Sequence, residues 1–150
     1  DSEPSRIMGN QMQRDQSLGA DDRFMMAIDT YADGRSGYYF EINPSGAMGD
    51  GLVLAGAGSG NGNAAGVNRS WDGIWLARVS RDDRGWSAEI EIPFNTINFK
   101  PDAPSWGINF QRTIRRKRGP RLKGLLPVIG HGGRAGTARR GNSKSRRQQQ

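Results

Sequence analysis

Cysteine is absent from this chain of 150 residues, and histidine occurs once, at His131. Without cysteine there is no disulfide scaffold, no thiol nucleophile and no Cys-ligated zinc or iron–sulfur site. The single histidine lies in a segment with little hydrophobic periodicity, which argues against a Ser-His-Asp triad or a histidine zinc site. No apolar run approaches the roughly 20 residues that a membrane-spanning helix needs, so we expect no transmembrane segment.

Acidic residues are absent after Asp102, which is the last of the 15 in the chain. Residues 112–150 carry 13 of the 22 Lys and Arg residues, which leaves residues 1–111 with a net charge of −6. The overall charge of +7 therefore averages an acidic part and a strongly basic part. We place the boundary so that residues 1–114 form one domain and residues 115–150 form a basic low-complexity tail, predicted to be disordered. The tail lacks interleaved aromatic residues, so we expect no specific nucleic-acid partner.

Several short segments of residues 1–114 alternate apolar and polar side chains with the period of two that is typical of β-strands. We predict strands over residues 23–30, 38–43, 71–79, 86–92 and 106–114, a weak strand over 5–12 and a short edge strand over 52–54. Residues 46–70 are otherwise rich in glycine and asparagine, and we interpret them as a long loop. No amphipathic helix of ten or more residues interrupts the strands. The pattern predicts an all-β, mostly antiparallel β-sandwich, jelly-roll-like in its connections.

Aromatic residues next to the glycine-rich loop suggest a ligand site. Trp71 and Trp75 share one face of a predicted strand, and a tryptophan ring can stack on a sugar. Asp72 and Asn68 lie beside them in sequence and can hydrogen-bond to sugar hydroxyls. The alternative interpretation is that these tryptophan rings belong to the core, as we expect for Trp86 and Trp106.

Carboxylates offer two further kinds of site. Asp21, Asp22, Asp29 and Asp50 are candidate oxygen ligands for a structural Ca²⁺, although they lack EF-hand spacing. Glu89 and Glu91 share the outward face of one strand, so they do not form the facing pair that glycoside hydrolysis requires. Residues 60–65 match a dinucleotide-binding pattern only formally, because no helix follows the glycines. We therefore expect no enzymatic activity in this chain.

Six segments together resemble a family 9 carbohydrate-binding module, in the variant that precedes an outer-membrane β-barrel. They are residues 1–4 (DSEP), 21–29 (DDRFMMAID), 39–44 (YFEINP), 71–75 (WDGIW), 85–94 (GWSAEIEIPF) and 106–112 (WGINFQR). The resemblance covers about residues 1–118 and implies a β-sandwich that binds glycans, often with bound Ca²⁺. The sequence departs from the sugar-binding members because residues 16–20 supply no clamp tryptophan, and Met25 and Glu41 stand near the positions of the family's sugar-bonding Glu and Arg.

The resemblance starts late and ends early, which indicates a fragment whose parent protein continues into a missing C-terminal domain. The basic tail is either native or the product of a frame shift. We therefore expect a non-catalytic module of an exported bacterial protein, located in the periplasm, at the outer membrane or outside the cell. Its expected partner is a polysaccharide or oligosaccharide, with polysaccharide degradation by another domain of the parent. The alternative is a structural or docking domain of an outer-membrane protein that binds no sugar.

Overall fold

The computed structural model describes residues 2–54 and 66–116, and the backbone of residues 120–129. Apart from a single 3-10 turn at Pro4–Arg6, the regular structure of these residues is entirely β. The prediction of an all-β, antiparallel fold is therefore confirmed. The strands are β1 (Arg23–Asp29), β2 (Ser36–Ile42), β3 (Met48–Leu54), β4 (Val67–Asn68), β5 (Leu76–Asp82), β6 (Gly85–Glu91), β7 (Ser105–Thr113) and β8 (Pro120–Ile129).

The strands form two sheets of unequal size. The large sheet has six strands in the order β4-β3-β2-β1-β7-β8, and the small sheet is the β5–β6 hairpin. Every neighbouring pair is antiparallel. Because successive side chains of a strand point to opposite faces, the register places Met26 beside Phe40 and Phe110 on one face of the large sheet. These residues belong to the sandwich core, onto which the hairpin packs Ala77 and Ile90.

The opposite face of the large sheet is also buried, at Met25, Tyr39 and Glu41. The N-terminal segment is tied to this face through Asn43, whose Nδ2 donates to the Gln11 carbonyl at 2.7 Å and to Asp21 Oδ2 at 2.8 Å. Residues 7–12 are thus an anchored irregular segment that follows the 3-10 turn, and the prediction of a weak strand over residues 5–12 is wrong.

Strand β3 lies inside the sheet, between β2 and β4, and has seven residues. The prediction of a three-residue edge strand was too short because the glycines near it suggested a loop. In the structure these glycines permit close approach of other groups. A Cβ on Gly51 would lie 2.7 Å from the Asn68 carbonyl oxygen of β4, and one on Gly49 would lie 3.2 Å from Glu41 Oε1.

Two further segments differ from their predicted structure. Strand β5 begins at Leu76, so residues 71–75 are irregular where a strand was expected. Strand β8 pairs with β7 from Ser105↔Ile129 to Thr113↔Pro120, within the tail that was predicted to have no regular structure. The apolar residues at 125–129 and the otherwise unpaired edge of β7 favour this strand. Residues 130–150, including His131, lie outside the described residues.

Candidate functional site

The segment 71–75, which the sequence suggested as a ligand site, packs against the core at one edge of the sandwich. Trp75 is only 3% exposed, and its ring centroid lies 5.1 Å from that of Phe40. Trp71 is half-buried, with its centroid 5.0 Å from Tyr38 and 6.0 Å from Phe40. Trp71 is therefore partly exposed although it packs against the core, whereas Trp75 is part of the core.

Asp50 of β3 holds segment 71–75 in this position. Its Oδ2 accepts a hydrogen bond from Trp75 Nε1 at 2.7 Å, and its Oδ1 accepts one from the Gly73 backbone N–H at 3.2 Å. Because the Gly73 backbone N–H binds a side chain, it is not available for strand pairing, which is consistent with a β5 that starts later than predicted.

Arg14 completes this arrangement, and nothing in the local sequence marked it as important. Its Nη2 donates to Asp50 Oδ2 at 2.6 Å, to Asp72 Oδ1 at 3.0 Å and to the Gly73 carbonyl at 2.7 Å. The guanidinium also lies over the Trp75 ring, 5.9 Å from its centroid. We call the five residues Arg14, Asp50, Asp72, Gly73 and Trp75 the Arg14 cluster.

The Arg14 cluster has a buried end and an exposed end. The Asp50 side chain is fully buried, and this burial raises the pKa of its carboxyl group, an effect that the Trp75 and Gly73 N–H groups and the Arg14 charge oppose only in part. In contrast, the side chain of Asp72 is 79% exposed and that of Arg14 is 37% exposed. The exposed end thus presents a carboxylate and a guanidinium, groups that can accept from and donate to hydroxyls, and its Asp72 directly follows Trp71 in the chain.

Asn68, the fourth predicted ligand-binding residue, lies on β4 and is exposed. Its Oδ1 accepts a hydrogen bond from the Ser70 backbone N–H at 3.0 Å, which is a local turn contact. The structure therefore brings Asp72 and Trp75 together with Asp50, one of the predicted calcium ligands, in the Arg14 cluster, and Trp71 adjoins them in the chain. The side-chain hydrogen bond of Asn68 instead stabilises its own loop.

The four predicted calcium ligands occupy separate environments, each with donors from the protein. Asp21 accepts from the backbone N–H groups of Asn10 and Gln11, both at 2.9 Å. Asp22 accepts from the Arg115 N–H at 2.7 Å, and Asp29 closes the β1–β2 turn through the Gly34 N–H at 2.8 Å. Among the described residues there is no group of three or more His, Cys, Asp or Glu that could hold a metal ion. Calcium binding stays a prediction.

A second buried ionic group lies on the opposite face of the large sheet. Glu41 Oε2 accepts from Arg23 Nη1 and from the Tyr39 hydroxyl, both at 2.9 Å, and Glu41 Oε1 lies 2.7 Å from Arg69 Nη2. Burial raises the pKa of Tyr39, and the neighbouring Glu41 raises it further, so its hydroxyl remains a donor. This group fixes the loop after β4 onto the sheet, and we assign it a structural role.

Exposed aromatic side chains form a third feature that sequence reasoning missed. Phe94 is 68% exposed and Phe99 is 38% exposed, and their ring centroids lie 5.8 and 5.4 Å from that of Trp106. The apolar spacing of residues 94–99 suits a helical turn tucked against a sheet and gives no sign that Phe94 and Phe99 are exposed. Ile74 and Leu76 are also exposed, at 80% and 63%.

Comparison with known proteins gives no assignment. No protein-family model, no curated protein and no solved structure matches this chain. In the described part of the chain, no helix has the length and hydrophobicity to cross a membrane.

Proposed function

We propose that this chain is a non-catalytic carbohydrate-binding module of an exported protein. The observation that carries the proposal is the ion pair of Arg14 with the exposed Asp72, which directly follows the partly exposed Trp71 in the chain. A sugar ring placed against Trp71 would bury apolar C–H groups, while its hydroxyls would reach a charged donor and a charged acceptor. The site needs the charged groups as well as the aromatic ring, because an aromatic ring alone does not distinguish a sugar from any other apolar ligand.

The site requires that Asp72 act in binding without acting in folding. Because the side chain of Asp72 is 79% exposed, Asp72→Ala should leave the melting temperature nearly unchanged. It should weaken binding to xylan or cellulose oligosaccharides about tenfold, as expected for a lost hydrogen bond to a charged group. Isothermal titration calorimetry measures the affinity, and Asp83→Ala, at another exposed aspartate, is the matched control. Equal affinities of the two variants would refute the site.

Replacement of Trp71 gives a second test of the sugar site, because this residue packs on Tyr38 and Phe40 and is also partly exposed. We expect Trp71→Ala to reduce sugar affinity about tenfold and to destabilise the fold less than Trp75→Ala, since Trp75 is a buried core aromatic for which a loss of roughly 3–5 kcal/mol is typical. Equal losses of melting temperature in the two variants would make Trp71 a core residue only.

The second candidate function is a docking domain of an outer-membrane protein that binds no sugar. It is favoured by the exposed apolar side chains Ile74, Leu76 and Phe94, since such side chains often mark contact surfaces. Absence of binding to xylan and cellulose oligosaccharides at millimolar concentration would favour this function over the first. The calcium prediction is tested separately, by comparing melting curves of the wild-type chain in CaCl₂ and in EDTA.

A further inference from the structure

The two layers of the sandwich differ in width, and no described strand pairs with the outer edges of β5 and β6. Strands lie about 4.8 Å apart, so the β5–β6 hairpin spans about 10 Å over a six-stranded sheet of roughly 29 Å. Trp75, just before β5, reaches Asp50 on β3, whereas β6 lies over β1 and β7. The outer edge of β6 therefore faces the β7–β8 side, where no described strand pairs with it.

A cavity runs beside this edge. It has a volume of about 240 Å³ and lies between the two layers. From β6 it is lined by Trp86, Ala88 and Ile90, three alternate residues on one face, and from the large sheet by Phe24 and Arg112. The buried Nε1–H of Trp86 has no hydrogen-bond acceptor among the described residues. The β6 residues that line this cavity are spaced two apart, which matches the spacing of the side chains on one face of an added strand.

The outward face of β6 specifies the charge of the strand that would pair with it. Glu89 and Glu91 are exposed on that face, where on the β5 side Glu89 lies opposite Arg78 and Glu91 lies opposite Leu76. Side chains directly opposite each other on neighbouring strands stabilise the pair when their charges are opposite and destabilise it when they are alike. A strand paired with β6 should therefore carry basic residues on its outward face and apolar residues toward the cavity.

We propose that the edge of β6 binds an extended partner polypeptide in which apolar and basic residues alternate, by addition of the segment as a third strand of the small sheet. Main-chain hydrogen bonds to the open edge supply affinity, and the cavity and the two glutamates supply specificity. A second copy of this chain fits less well, because antiparallel pairing of two β6 strands would place four glutamates on one face. The inference does not depend on glycan binding.

The probe is a synthetic peptide of about seven residues, the length of β6, in which valine alternates with lysine. Fluorescence anisotropy of the labelled peptide against the full chain should show one-to-one binding, and amide chemical shifts should change along β6. A peptide with glutamate in place of lysine should not bind. A lysine peptide with a central proline should also fail, because proline removes a ladder donor.

The decisive variant is Glu89→Lys/Glu91→Lys, which we expect to weaken binding of the lysine peptide about tenfold. The control, Asp83→Lys/Asp102→Lys, makes the same charge change at two exposed residues outside β6 and should bind like the wild type. Equal affinity of the two variants, equal binding of the glutamate peptide, or tolerance of the central proline would overturn the proposal. So would a dimer joined through β6 in analytical ultracentrifugation, or equally strong competition by a peptide of residues 130–150.

Discussion

Replacement of Asp50 tests whether the Arg14 cluster is held by buried hydrogen bonds or by ion pairs at the surface. In Asp50→Ala, Trp75 Nε1–H and the Gly73 N–H lose their acceptor inside the protein. A buried donor without a partner costs about 1–3 kcal/mol, so we expect a loss of roughly 3–4 kcal/mol in the free energy of unfolding. Arg14 adds little to this figure, because its side chain is 37% exposed and can turn toward solvent.

Asp50→Asn separates the contributions of hydrogen bonding and charge. The amide keeps one acceptor oxygen in nearly the same volume, so we expect a smaller loss, about 1–2 kcal/mol. Asp72→Ala removes an exposed partner of the same guanidinium and should cost less than about 0.5 kcal/mol. The expected order of stability is therefore wild type, Asp72→Ala, Asp50→Asn and Asp50→Ala.

Urea unfolding followed by circular dichroism at 25 °C measures these differences, provided that the m-value is unchanged. For a domain of this size, a loss of 3 kcal/mol corresponds to a decrease of roughly 12 °C or more in melting temperature. A loss below about 1 kcal/mol for Asp50→Ala would refute the buried network. Equal losses for Asp50→Ala and Asp72→Ala would assign the stabilisation to Arg14 ion pairs instead.

Three further substitutions probe Gly73 of the site and two buried polar groups elsewhere in the fold. Gly73→Ala would place a Cβ 2.8 Å from Trp71 Cζ3, so we expect displacement of the ring, a loss of about 1–3 kcal/mol and a changed near-ultraviolet circular dichroism spectrum. Glu41→Gln leaves the partly buried Arg23 without its counter-charge, and urea unfolding should show a loss of at least about 2 kcal/mol. Burial would raise the pKa of Asp21, but its hydrogen bonds lower that pKa overall, so its ionised form stabilises the fold above pH of about 4 and this contribution is lost as pH falls. Asp21→Asn should therefore be less stable than the wild type at pH near 7, with a smaller difference at pH near 3; an equal difference at both would contradict this.

Local periodicity in the sequence was enough to predict most of the strands and one of the two buried faces of the large sheet, but not the burial of Met25, Tyr39 and Glu41 on the other face. Phe24, Met26 and Ile28 occupy alternate positions of β1, and in the structure Met26 lies in the core, opposite Phe40 of β2. The same rule placed Trp86 and Ile90 on the inward face of β6. It succeeds because an extended backbone points successive side chains to opposite faces, whatever the rest of the chain does.

Contacts between distant residues were decided only by the tertiary structure. Arg14 meets Asp50 across 36 positions and Asp72 across 58, and no local pattern marks any of the three as a partner of the others. The Asp50 carboxylate accepts a hydrogen bond from the Gly73 backbone N–H, a contact that the alternation of residues 71–79 does not reveal.

Glycine content and charge were the two sequence features whose structural predictions the tertiary structure corrected. Glycine content around Gly51 indicated a loop, yet Gly51 lies inside β3. Glycine is needed at this position because a side chain there would collide with β4. Basic composition indicated no regular structure after residue 114, yet β7 pairs with residues 120–129. In both cases the sequence determines what a residue permits locally, and the neighbouring strand determines which permitted conformation is used, because close approach and edge pairing depend on groups distant in the chain.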